Sequence, residues 1–176
     1  MSMNLCLTGE IQAGKSTLLR RLLEESGKRF GGFSTVFAGE RGMPGAGLCL
    51  VPFGETKGGE ESVCARFGEN GRQAVPQTFD TVGTRLIRTA MEDERVEIIA
   101  MDELGFLEAD AALFRRTVLE AMRGPKPVWA VIRHGDRPGA LCRLWQTAPV
   151  GRIVTVTAEN RDRILQILLA KSSRMW

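Results

Sequence analysis

Gly9, Gly14, Lys15 and Ser16 stand at the spacing G-x-x-x-x-G-K-[ST] in the run Gly9-Glu10-Ile11-Gln12-Ala13-Gly14-Lys15-Ser16. The chemistry available to that set is the binding of a polyphosphate. Glycines allow successive backbone N–H groups to turn inward, and a helix that follows adds its positive N-terminal end. Lys15 brings a cation to the β- and γ-phosphates, and Ser16 offers a hydroxyl to Mg²⁺. Glu10, Ile11, Gln12, Ala13 and Thr17 complete the candidate nucleotide-binding stretch. Four constrained positions make a chance match rare in a chain of this length.

A second candidate group is the acid pair Asp102-Glu103, which closes the apolar run Val96-Glu97-Ile98-Ile99-Ala100-Met101. Ligands of open parallel sheets collect at the C-terminal ends of the strands. Asp102 has the position of a Walker B residue that holds Mg²⁺, and Glu103 that of a base polarising the attacking water. The bland alternative is a strand that ends in two solvated acids.

These groups need a scaffold, and the chain supplies one. Asn4-Leu5-Cys6-Leu7-Thr8 reads as a buried strand before the loop. Leu18, Leu19, Leu22 and Leu23 mark a helix after it, closed by Gly27. Phe33 to Phe37 forms a second strand. Residues 39–76 change character: glycine and proline are dense, and strand-like runs at 47–53 and 62–67 flank a polar loop. This predicts an antiparallel hairpin insertion. Phe79, Val82, Leu86, Ile87, Ala90 and Met91 mark one helix face, and Asp110 is placed to cap a second helix running to Gly124-Pro125. Further strands at 128–132 and 153–156, and helices at 138–145 and 161–169, follow. Alternating strands and helices predict a three-layer α/β/α fold with a mostly parallel sheet, one domain over residues 1–176. A strand and helix between the loop and Asp102 point to the RecA-like branch of P-loop proteins, by analogy of fold.

Composition is that of a globular chain of 176 residues with formal net charge +3. No apolar stretch is long enough to span a bilayer, and the first residues lack a signal peptide's pattern, so the expected location is the cytoplasm. Cys6, Cys49, Cys64 and Cys142 form no C-x-x-C pair and read as buried reduced thiols. From Ala112 onward there are 12 Lys and Arg against 4 Asp and Glu. That basic third suits solvated helix faces better than nucleic acid, because no aromatic platform accompanies it. The functional alternatives for it are nucleotide phosphates, RNA or an acidic protein partner.

Three blocks carry a family resemblance. Asp102-Glu103-Leu104-Gly105-Phe106-Leu107-Glu108 resembles the D-E-[IL]-G-x-[ML]-E signature of the THEP-type nucleoside triphosphatases. Gly32-Phe33-Ser34-Thr35 resembles their G-F-x-T strand, and Val156 to Asp162 their V-T-x-E-N-R-D segment. The resemblance implies a Mg²⁺-dependent enzyme that hydrolyses ATP, GTP and other nucleoside triphosphates to diphosphates, with loose base preference. Two departures stand out. Ile11, Gln12 and Ser16 occupy the proline, second-glycine and threonine positions of the family's loop. Arg41 matches the first of two family arginines, but Met43 to Leu48 supplies no second. If that arginine neutralises transition-state charge, turnover here is slower.

Arg133 and His134 follow the 128–132 strand and are γ-phosphate sensor candidates, with an idle loop pair as the alternative. Asn160 is placed either to meet the base or ribose, or to cap the helix behind it. Two rival functions use the same parts. One is a phosphotransferase with a small acceptor. The other is a nucleotide-gated module whose slow hydrolysis times contact with a partner protein.

Overall fold

The structure is a computed structural model that describes residues 4–39, 43, 45–68, 71–133 and 151–175. The predicted helix at 138–145 lies outside the described residues. Eight strands form one sheet in the order β5-β4-β3-β2-β6-β7-β1-β8. They are β1 Leu5–Thr8, β2 Phe30–Ala38, β3 Gly47–Pro52, β4 Val63–Gly68, β5 Gly71–Ala74, β6 Ile98–Leu104, β7 Val128–Ile132 and β8 Arg152–Thr155. The half from β2 to β8 is parallel, and β3, β4 and β5 extend it as an antiparallel meander. The predicted insertion is therefore a continuation of the main sheet. It also holds one more strand, β5, whose sequence Gly71-Arg72-Gln73-Ala74 has no apolar alternation to announce it.

Among the described residues, four helices longer than a single turn cover the two faces: α1 Lys15–Ser26, α2 Thr84–Glu92, α3 Ala112–Arg123 and α4 Arg161–Met175. On one face Leu18, Leu19, Leu22 and Leu23 of α1 and Leu165 of α4 pack on Leu5, Leu7, Ile98, Ala100 and Val131. On the other, Ile87 and Ala90 of α2 and Phe114, Val118 and Ala121 of α3 pack on Phe33, Leu50, Ile99 and Met101. Alternate residues of β6 thus face opposite cores, which is why its sequence is apolar throughout. Gly27 ends α1 in the left-handed region at φ 68°, as its position predicts.

The strand that parts β1 from β6 in space is β7, which pairs with both. It follows β6 in the chain. The strands that lie between them in sequence, β2 to β5, all sit on the far side of β6. The expected intervening strand is present, supplied by a later segment than sequence order suggested.

Asp110 does not cap α3. The helix starts at Ala112 with no side-chain cap, and Phe114 N–H instead donates to Asp80 Oδ1 at 2.8 Å. Asp80 belongs to a π-helical turn, Phe79–Gly83, that runs from a short α turn (Pro76–Thr78) into α2. Gly83 in that turn lies against the Phe114 ring, where an added Cβ would stand 2.7 Å from the ring edge. A distant acid therefore replaces the local one because α3 docks its first turn onto this segment. Cys6, Cys49 and Cys64 are buried thiols, and burial pushes the Cys64 thiol up to about 12.

Candidate functional site

The loop joining β1 to α1 is built around two glycines that other residues would strain. Gly9 has φ 142°, and a Cβ there would meet the Val156 carbonyl oxygen at 2.2 Å. Gly14 has φ 86° and precedes α1 without any capping side chain, and the first turn of α1 carries no acid. First-turn N–H groups have no intrahelical partner, so this end of the helix is left to an external anion. Gln12 also has positive φ, 65°, where a glycine would be relaxed. A non-glycine residue held there costs about 1–2 kcal/mol.

Lys15 is buried, and its Nζ donates to Gly9 O at 2.9 Å and Glu10 O at 2.7 Å. An ammonium has three donors, so one remains. Ser16 Oγ donates to Asp102 Oδ1 at 2.9 Å, which joins the first turn of α1 to the end of β6. Burial pushes the Asp102 carboxyl up to about 6, against the pull of the Ser16 hydroxyl. The pair is oxygen-only, a donor set suited to a hard cation such as Mg²⁺, and a cation there would draw Asp102 back to its charged form.

Glu103 is an extra residue in the β6–β7 ladder. Asp102 pairs with Val131 and Leu104 with Ile132, leaving Glu103 bulged. Bulges re-aim a side chain, and this one brings Glu103 to the cavity over the sheet edge. Its Oε1 lies 3.9 Å from Arg133 Nη1, and the Arg133 guanidinium lies over the Phe106 ring at 5.1 Å. Two adjoining cavities, of about 660 and 620 Å³, share Ile11, Gln12, Ser16, Arg72, Glu103 and Arg133 among their walls. Gly14, Lys15 and Thr17 line the smaller one, and Ser34 and Asp102 the larger.

Thus the loop residues 9–17, Asp102, Glu103 and Arg133 come together. Asn160 does not join them as a free side chain. Its Oδ1 accepts Thr157 N–H at 2.8 Å, and its Nδ2 donates to Thr155 O at 3.0 Å. The Asn160 carbonyl accepts Ile164 N–H, so the residue does begin α4, but its side chain staples the preceding loop instead of capping the helix. Arg41 and His134 lie outside the described residues.

Sequence reasoning gave no role in the site to three further groups, of which Ser34 and Glu108 stand inside the quoted family blocks. Ser34 is buried beside Asp102 in the β2–β6 register, and its hydroxyl finds no hydrogen-bond partner among the described residues. Arg72 reaches both cavities from β5. Glu108 is 1% exposed, its carboxyl accepts the Gly105 N–H, and burial pushes it up to about 7. Its place three residues after Gly105, in a tight turn behind a strand of acids, was the available signal.

The family model described as NTPase matches residues 4–169. The nucleoside-triphosphatase THEP1 of Methanocaldococcus jannaschii is 29% identical over 179 residues, covering 96% of this chain and 96% of that protein. The crystal structure of THEP1 from Aquifex aeolicus superposes with TM-score 0.73 at 27% identity, over 98% of this chain and all of that one. The solution structure of a human cancer-related nucleoside triphosphatase gives TM-score 0.75 at 22% identity, over 99% of this chain and all of that one, a likeness of fold.

Proposed function

This chain belongs to the NTPase family, and on that premise we propose that it is a single-domain, Mg²⁺-dependent hydrolase of nucleoside 5′-triphosphates, with loose base preference, working in the cytoplasm. The observation that carries the reading is the Ser16–Asp102 hydrogen bond of 2.9 Å at the mouth of the glycine loop. It sets a hydroxyl and a carboxylate side by side where the β- and γ-phosphates of a nucleotide on that loop would end.

In this reading the loop amides of residues 9–17 hold the phosphate chain, and Lys15 places its remaining donor on it. Ser16 and Asp102 would hold Mg²⁺, which when bound would supply positive charge against the phosphate chain. Glu103 orients a water in line with the γ-phosphorus. The water oxygen bonds to the γ-phosphorus and gives a proton to Glu103, the bond from the γ-phosphorus to the bridging oxygen breaks, and nucleoside diphosphate and phosphate leave. Preorganised donors around the transferring group make the largest contribution to such a step. Arg133, held by Glu103 and Phe106, stands ready to meet the γ-phosphate. Asn160 supports the site by holding the loop that Gly9 touches.

The test is phosphate release from ATP, GTP, CTP and UTP, with and without Mg²⁺, for the wild type and Glu103→Gln, with nucleotide binding followed in parallel. Mg²⁺-dependent release that disappears in Glu103→Gln while binding persists is the expected result. Tight binding with no release from either protein would overturn hydrolysis as the intrinsic activity.

A further inference from the structure

A water nucleophile needs little room, yet the larger cavity beside Glu103 has a volume of about 660 Å³ and an aromatic wall. That volume suits a small organic molecule. The wall comes from the antiparallel half of the sheet. Phe37 of β2 and Phe67 of β4 stack with ring centroids 5.2 Å apart and planes 25° from parallel. The Arg72 guanidinium lies over Phe67, 4.9 Å from its centroid.

Stacking occupies the face of a guanidinium and leaves its in-plane N–H donors free for an oxyanion. Arg72 has no carboxylate within ion-pair distance among the described residues. Burial and the neighbouring Arg133 hold its guanidinium below the usual arginine range, with Glu103 offsetting them only in part, so two cations feel each other across this space. An anion between them would relieve that repulsion. Ser34 adds a buried hydroxyl, 4% exposed, that lines the cavity and lacks a partner among the described residues. A buried polar group of that kind is normally satisfied by a ligand or water.

The nucleotide of the proposed reaction does not account for this wall. Its terminal phosphate belongs beside Ser16, Asp102 and Glu103, so its nucleoside must leave past Gly14 and Thr17, on the side of the smaller cavity. We propose that the larger cavity binds a second, small planar anion, an aromatic ring bearing a phosphate or carboxylate, next to the nucleotide's terminal phosphate. The ring packs on the Phe37–Phe67 wall, the anionic group bonds Arg72, and Ser34 supplies a hydrogen bond. This inference rests on the nucleotide occupying the glycine loop as proposed above.

The test is calorimetric titration of 1-naphthyl phosphate, and separately 1-naphthoate, into protein saturated with Mg²⁺ and a non-hydrolysable ATP analogue. Saturable one-to-one binding of at least one probe is expected, and the better of the two identifies the anionic group. Arg72→Gln and Phe67→Leu should each weaken it about tenfold or more, the scale of one charge-assisted contact or one stacking contact. Phe67→Leu, which lines the larger cavity and not the smaller, should bind the ATP analogue as the wild type does, and thermal melts should show that both variants fold. Absence of saturable probe binding, equal affinity in the variants, or displacement of the probe by the analogue would overturn the second site. If the analogue itself failed to bind, the hydrolase reading would fall with it. If the analogue bound and the probes did not, only the second site would.

Discussion

Ser16 Oγ and Asp102 Oδ1, 86 residues apart in sequence, stand 2.9 Å apart at the junction of α1 and β6. Neither residue makes sense as a fold stabiliser alone. A buried carboxyl pushed up to about 6 carries a desolvation cost that one hydroxyl does not cancel. A bound cation would cancel it, so the two side chains are expected to act as a unit.

Ser16→Ala and Asp102→Ala should each lower Mg²⁺-dependent phosphate release by roughly a hundredfold or more, because metal stabilisation of the transferring charge is worth several kcal/mol. The double variant should be little worse than the worse single one, since groups that serve one metal are not additive. Steady-state rates across a Mg²⁺ titration check this. Fully multiplicative losses would show that the two residues act separately.

Gly32 and Gly27 both have positive φ, at 121° and 68°, but only one is crowded. A Cβ on Gly32 would stand 2.0 Å from the Ala100 carbonyl oxygen across the β2–β6 ladder, while one on Gly27 would meet nothing within 4 Å. Gly27→Ala should cost about 1 kcal/mol, the left-handed penalty alone. Gly32→Ala adds a backbone clash that must separate two core strands, and should cost about 3 kcal/mol or more. Denaturant melts of the two proteins compare the costs directly, and equal losses would contradict the packing described.

Asp80→Ala should destabilise the fold by about 1 kcal/mol, the usual loss when a helix N-terminal acceptor is removed. Asp110→Ala should change stability by less than half of that, because α3 has no side-chain cap of its own. The pair of melts distinguishes a long-range cap from a local one.

The glycine loop, the paired acids and most strands and helices along the chain were legible because each rests on local rules. Only certain residue types turn a backbone inward, and only apolar runs survive between two helical layers. The cap on α3 was not legible, since Asp80 reaches it only after two helical segments dock. Arg72 and the strand that carries it were missed for a related reason: an exposed edge strand buries nothing, so its sequence bears no period. Ser34 sat inside a quoted motif, yet its missing partner is a property of the neighbours across the ladder. Gln12 shows the reverse case. Its departure from glycine was visible in the sequence, and the structure keeps the glycine-like φ of 65° regardless.

Glu108 supplies the pH prediction. Its carboxyl, 1% exposed and bonded to the Gly105 N–H, is pushed from an ordinary 4.5 up to about 7, chiefly by burial, with Glu103 raising it and Arg115 lowering it. A carboxyl whose folded value lies above its unfolded value favours the fold fully below about 4.5 and loses that contribution as pH rises through 7. At pH 8 the charged form costs the folded state up to about 3 kcal/mol. Glu108→Gln keeps an oxygen acceptor for Gly105 and removes the charge. Its stability should match the wild type near pH 5 and exceed it at pH 8, by several degrees in Tm for a chain of this size. Thermal melts from pH 5 to pH 8 measure the difference between the two proteins, which removes the parallel contribution of Asp102. A difference that stays flat across that range would show that Glu108 is already charged at pH 5 and that a counter-charge, with Arg115 the nearest candidate, holds it so.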